Sequence, residues 1–108
     1  KFGMSLVTLG MSAEFEGKVA FNSLWPRTII ATAAIEFAVG NAEMMRLARK
    51  PDIMADACIE ILKRDAKTCT GNYFIDDAVL AESGVQDFTN YQVDPSVDAK
   101  SLIPDFFI

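Results

Sequence analysis

Thr28 and Thr32 are the residues best placed to do chemistry, because of what stands before them. Val19, Ala20, Phe21, Leu24 and Trp25 form an apolar run broken only by Asn22 and Ser23, and Pro26 closes it. Such a run suits a strand covered on both faces, and proline stops it because it has no N–H to give to a ladder. The segment 28–32 therefore begins just past a strand's carboxyl end, where open α/β sheets bind their ligands. Composition excludes other chemistry. With no histidine, and with only Cys58 and Cys69 as cysteines, neither the usual zinc sites nor a histidine-based triad can be built. Both cysteines read as buried bystanders. Two unpaired thiols without an export signal point to a reducing compartment, the cytoplasm first, with peroxisome or mitochondrion as alternatives. Asp76 and Asp77 have no third ligand beside them and read as a solvated pair rather than a metal site.

These residues need elements to position them. Phe2, Leu6, Leu9 and Ala13 make one apolar row at helical spacing, and Met4, Val7, Met11 and Phe15 make another. The combined stripe is wider than a helix with one solvent face requires. Gly3, Ser5, Gly10 and Ser12 are small enough to admit a neighbouring backbone, and Gly17 is a plausible C-terminal stop. After the strand, Ala33 to Val39 reads as a helix closed by Gly40 and Asn41, and Ala42 to Lys50 as a second short one. Pro51 opens a third helix, with Ile53, Met54, Ala57, Ile61 and Leu62 on one side and Asp52, Asp56, Glu60 and Lys63 on the other. Thr70 and Gly71 turn the chain into a short β-rich run, Asn72 to Ile75. Residues 78–108 hold Gly84, Pro95 and Pro104 and end on Phe106, Phe107 and Ile108. They read as irregular, with at most one helical turn at Ala78 to Glu82.

A chain of 108 residues makes one domain at most, and 51% hydrophobic content with a mean hydropathy of +0.21 is high for that length. No uncharged run reaches 18 residues, so no membrane span is expected. The net charge of −5 argues against nucleic acid as a partner. Beyond Ile75 there are seven acids against Lys100 alone, which reads as a solvated acidic tail. Two parallel strands with a crossover helix on one face do not make a stable sheet by themselves. With no initiator methionine and an uncapped first helix, the chain is expected to be a fragment of a longer protein whose missing parts cover its apolar faces. The order helix, strand, lid helices, helix, strand, tail suits the C-terminal half of a doubly wound, Rossmann-type parallel α/β domain.

Four stretches in series carry a resemblance: Lys1-Phe2-Gly3-Met4-Ser5, Asn22-Ser23-Leu24-Trp25-Pro26-Arg27, Thr70-Gly71-Asn72-Tyr73-Phe74-Ile75-Asp76, and Pro104-Asp105-Phe106-Phe107. In that order the chain resembles the C-terminal half of the short-chain dehydrogenase/reductase family, closest to its hydroxysteroid dehydrogenase-like branch. Residues 1–108 then form part of one domain, with 33–50 the substrate lid and 78–108 the tail. The resemblance implies that Lys1 is the lysine of a Tyr-x-x-x-Lys motif whose tyrosine lies four residues upstream. That tyrosine exchanges a proton with a carbonyl or alcohol while nicotinamide, as NAD or NADP, exchanges a hydride. The ammonium of Lys1 lowers the tyrosine's pKa and donates to the nicotinamide ribose.

Pro26 matches the proline of the family's Pro-Gly loop, whose backbone lies against the nicotinamide carboxamide and whose later threonine contacts the cofactor. Arg27, Thr28, Ile29 and Thr32 are the further cofactor contacts this implies. Arg27 departs from the family's glycine, and Thr32 comes six residues after Pro26 where five is commoner. Asp77 departs too, standing where many relatives read Asp-Gly-Gly from the position of Asp76. Asn22 is not the family's catalytic asparagine and reads as a structural residue bonding neighbouring backbone. In the lid, Ile35, Phe37, Met44 and Met45 suggest an apolar or acyl-type substrate. The parent is thus expected to be an NAD(P)-dependent oxidoreductase, a homo-oligomer pairing through the 1–15 helix, with this chain inactive alone. The alternative is a catalytically silent family member, or an interaction and self-association module.

Overall fold

The computed structural model describes residues 1–39 and 42–105. The closing of a helix by Gly40 and Asn41, and the final apolar group Phe106 to Ile108, lie outside the described residues. Helix α1 (Phe2–Glu14) leads to strand β1 (Ser23–Trp25). Two short helices follow, α2 (Ala33–Val39) and α3 (Ala42–Arg46), then α4 (Asp52–Leu62). Strand β2 (Tyr73–Ile75) runs directly into α5 (Asp76–Glu82), and single 3-10 turns sit at Thr89–Tyr91 and Ala99–Ser101. The strands pair in parallel, Ser23 opposite Tyr73, Leu24 opposite Phe74 and Trp25 opposite Ile75. This is the α/β arrangement expected, a parallel pair joined through a helical crossover.

Strand alternation divides the two faces. Leu24 and Phe74 pack on the core, whose fully buried members are Ile53 and Ala57 of α4 and Val79 and Leu80 of α5. Trp25 and Tyr73 turn to the other face and bond α1: Trp25 Nε1 donates to Ser5 Oγ at 3.2 Å, and Tyr73 Oη donates to the Ser5 carbonyl at 3.0 Å. Helix α1 therefore buries Ser5 and Ser12 against its own sheet. Its large apolar side chains face outward, with Phe2 70%, Met4 66% and Val7 64% exposed. At the turn into β2, Gly71 holds φ +74°, and a Cβ there would stand 3.0 Å from Ser12 Oγ.

Several expectations need correction. The strand is expected from Val19, but regular pairing begins at Ser23, because upstream side chains interrupt the ladder and leave the Gly71 N–H to Phe21 O bond at 2.7 Å. The Phe21 N–H donates to Thr70 Oγ1 at 3.0 Å, and Asn22 Nδ2 donates to the Cys69 carbonyl at 2.9 Å. Helix α3 stops at Arg46 rather than Lys50, since the backbone of 47–50 bonds to three other segments: the Arg49 N–H to Ile29 O, Val93 N–H to Ala48 O, and Ile103 N–H to Leu47 O. The acids Asp76 and Asp77 are not a solvated turn but the first turn of a two-turn helix, where carboxylates suit the dipole. Asp76 is fully buried. The tail acids are not merely solvated either. Asp87, Asp94 and Asp98 each accept the N–H two residues on, fixing three turns of the returning chain. Leu62 is 77% exposed, on the side of α4 away from buried Ile53 and Ala57, and Cys58 on the same helix is exposed rather than buried.

Candidate functional site at the carboxyl end of β1

A cavity of about 620 Å³ lies between α1 and β1. Lys1, Met4, Ser5 and Thr8, one face of α1 at helical spacing, form one wall. The run from Asn22 to Pro26 forms another, and Met54 of α4 and Asp105 of the tail complete it. Lys1 stands at the N-cap position of α1, with no side-chain cap hydrogen bond. The hydrogen bond from Trp25 to Ser5, one turn further along, holds that turn against the end of the strand. Lys1 and Pro26, far apart in sequence, thereby border one space.

The segment after Pro26 runs away from the cavity into the body of the chain. The Arg27 N–H donates to Asp76 Oδ1 at 3.0 Å, and its Nε lies 2.8 Å from both carboxylate oxygens of Asp77. The arginine is thus accommodated by turning toward α5. Thr28 is buried, with Oγ1 donating to the Ile29 carbonyl at 3.3 Å. Ile29 is buried too; its N–H donates to Ile103 O at 3.0 Å and its carbonyl accepts the Arg49 N–H at 3.1 Å. Thr32 is exposed, and its carbonyl accepts the N–H groups of Ile35 and Glu36, opening α2. Of the lid residues, Ile35, Met44 and Met45 are half-buried and Phe37 is 84% exposed; the cavity is walled by Met54 in their place.

Asn22 is a structural residue: besides its bond to Cys69, its Oδ1 accepts from the backbone N–H of Asn72 at 3.1 Å and from Asn72 Nδ2 at 3.0 Å. Asp76 Oδ1 accepts two backbone N–H groups, from Arg27 at 3.0 Å and from Asp77 at 2.7 Å. Burial pushes its carboxyl above the usual range, and those two hydrogen bonds pull it partly back. Among the described residues, no three histidine, cysteine or acidic side chains gather as metal ligands. Sequence patterning missed Met54 and Asp105 as cavity residues. Neither carries a local signal, and only the fold brings α4 and the tail to β1.

No family model matches the chain. Its whole length is 47% identical to hydroxysteroid dehydrogenase-like protein 2 of Rattus norvegicus and 43% identical to that of Homo sapiens. It spans 20% and 25% of those proteins. In structure, all of it superposes on a putative dehydrogenase from Xanthomonas campestris at a TM-score of 0.87 and 48% identity. It superposes as fully on a short chain dehydrogenase from Mycobacterium thermoresistibile at 0.84 and 38%. In each case it covers 38% of the solved chain.

Proposed function

Since this chain belongs with the short-chain dehydrogenases in sequence and fold, we propose that it is the C-terminal part of one such domain, with 33–50 as lid and 78–108 as tail. In this reading the whole protein moves a hydride between NAD or NADP and the carbonyl or alcohol of an apolar or acyl-type substrate. The observation that carries it is the shared cavity of Lys1 and Pro26 at the carboxyl end of β1. The nicotinamide end of such a cofactor suits this cavity, whose wall is apolar at Leu24, Trp25, Pro26 and Met54 and charged at Lys1 and Asp105. When bound, the nicotinamide supplies or accepts the hydride.

The chain's own residues have separate tasks. The Lys1 ammonium favours the ionised form of the tyrosine proposed four residues upstream and donates hydrogen bonds to the ribose. Pro26 ends the ladder, leaving the strand end open to the ring. Arg27, Thr28 and Ile29 support that wall from behind, and Thr32 starts the lid. Ile35, Phe37, Met44 and Met45 belong to the lid that closes on an apolar substrate. The exposed apolar face of α1 is the surface through which two copies pair. Among the described residues, no helix is long and apolar enough to cross a membrane.

The test is turnover. Full-length protein is expected to oxidise NADH or NADPH with long-chain carbonyl substrates, read as loss of nicotinamide absorbance, while residues 1–108 alone turn over nothing. Full-length protein that binds neither cofactor contradicts the reading and favours a silent, self-associating relative.

A further inference from the structure

Two departures from the family pattern meet in space. Arg27 stands where glycine is usual, Asp77 stands in the usual Asp-Gly-Gly, and the two are ion-paired with Nε 2.8 Å from both carboxylate oxygens. Asp77 is shared. Nη1 of Arg49 lies 3.1 Å from its Oδ2, and Arg49 is buried at 7% exposure with its guanidinium 5.5 Å from the Phe88 ring centre. Arg49 in turn exchanges backbone bonds with the far end of the same segment: its N–H donates to Ile29 O at 3.1 Å, and Ala31 N–H donates to its carbonyl at 2.8 Å. Asp77 therefore grips residues 27–31 from both ends, at the start through the Arg27 side chain and further along through Arg49.

The location gives the grip a purpose. The ladder between β1 and β2 ends at Trp25 and Ile75, because Pro26 has no N–H for a next rung. Directly beyond, the acids opening α5 take over, Asp76 through the Arg27 N–H and Asp77 through the guanidinium. The Arg27 Nε–H is shared between the two carboxylate oxygens of Asp77, and such a charge-assisted hydrogen bond is stronger than a neutral one, so it ties the start of the segment to α5. Building on the dehydrogenase reading above, we propose that Arg27 and Asp77 are positioning residues: their ion pair, buttressed by Arg49, sets the course of residues 27–31 behind Pro26 and so the shape of the cofactor cavity.

Arg27 is the better probe. Its side chain is 47% exposed, and its loss leaves Asp77, at 15% exposure, still paired with Arg49, whereas loss of Asp77 leaves buried Arg49 without that partner. In full-length protein, Arg27→Gln is expected to raise KM for NAD(P)H about tenfold while kcat stays within about twofold, with Arg27→Lys recovering part of the loss. Adding Arg27→Gln to Asp77→Asn is expected to cost little more than Asp77→Asn alone, since the two share one interaction. A cofactor KM for Arg27→Gln within about twofold of wild type, or fully additive losses, overturns the proposal. If the wild type binds no cofactor, the dehydrogenase reading fails separately, and amide exchange then decides the grip. Exchange at Ile29 and Ala31 about tenfold faster in Arg27→Gln supports it, and unchanged exchange overturns it.

Discussion

Trp25 Nε1 and Ser5 Oγ stand 3.2 Å apart, joining the last residue of β1 to the first turn of α1. Ser5 is buried there, and its carbonyl also takes the Tyr73 hydroxyl. Ser5 thus bonds both strands, helping to dock α1 on the sheet and to hold Lys1 near Pro26. Ser5→Ala leaves the indole N–H without this acceptor, at a cost of about 1–2 kcal/mol. In full-length protein we expect a melting temperature lower by about 2–6 °C. An unchanged melting curve removes Ser5 as the anchor.

Asp76 should reveal itself through pH. Burial raises its folded pKa above the ordinary 3.8. Its contribution to stability is then complete below the unfolded value and is lost as pH rises through the folded one. Asp76→Asn keeps an oxygen for the Arg27 and Asp77 N–H groups without carrying a charge. We expect Asp76→Asn to gain on the wild type between about pH 4 and pH 7, measured by denaturant midpoints. Asp76→Ala leaves both N–H groups unmet and is expected to lose about 2 kcal/mol or more at either pH.

Tyr91 donates to Asp56 Oδ2 at 2.7 Å. That hydrogen bond, then burial and the charge of Asp56, push its phenol up to about 12. The stability it contributes is present below its unfolded pKa of about 10 and lost as pH climbs past the folded value. The ultraviolet difference between wild type and Tyr91→Phe should show a phenol titrating near 12, and Asp56→Asn should bring it back toward about 10.

Gly71 is constrained twice, by φ +74° and by Ser12 Oγ at 3.0 Å from the place of a Cβ. Gly71→Ala is expected to cost about 1–3 kcal/mol. The next atom a Cβ would meet, Ser12 Cβ, is at an ordinary 3.6 Å. Made in a Ser12→Ala background, the same change should cost less, retaining only the backbone strain. Equal losses in both backgrounds place the whole cost in φ.

Local patterns made α1 and α4 legible, because their apolar residues recur at helical spacing; α2 was read from its apolar run, and Pro26 marked the end of β1. The two apolar rows of α1 were visible, but not that the serines face its own sheet and the hydrophobic side chains face outward. Helix α5 was legible only as a single turn at Ala78 to Glu82, because Asp76 and Asp77 disfavour helix interiors, while at a first turn they are suited to the dipole. Its Val79 and Leu80, half of the fully buried core cluster, sit in a stretch too short for periodicity to register. Pro26 marked the ligand end of the strand from patterning, whereas Lys1 was legible as a site residue only through resemblance. Lys1 with Pro26, and Arg27 with Asp77, are brought together by the fold alone, and no spacing rule links residues so far apart. The resemblance located Arg27 and Asp77 as separate departures; only coordinates show that each accommodates the other.

Hydride transfer by full-length Lys1→Met protein measures the main proposal most directly. If the Lys1 ammonium serves the reacting tyrosine across the cavity bounded by Pro26, kcat should fall by about 100-fold or more with the fold intact, and Lys1→Arg should recover little, because a guanidinium does not replace a compact ammonium. A Lys1→Met enzyme that turns over within about twofold of wild type would remove Lys1 from the chemistry, and with it the placing of the site at the end of β1.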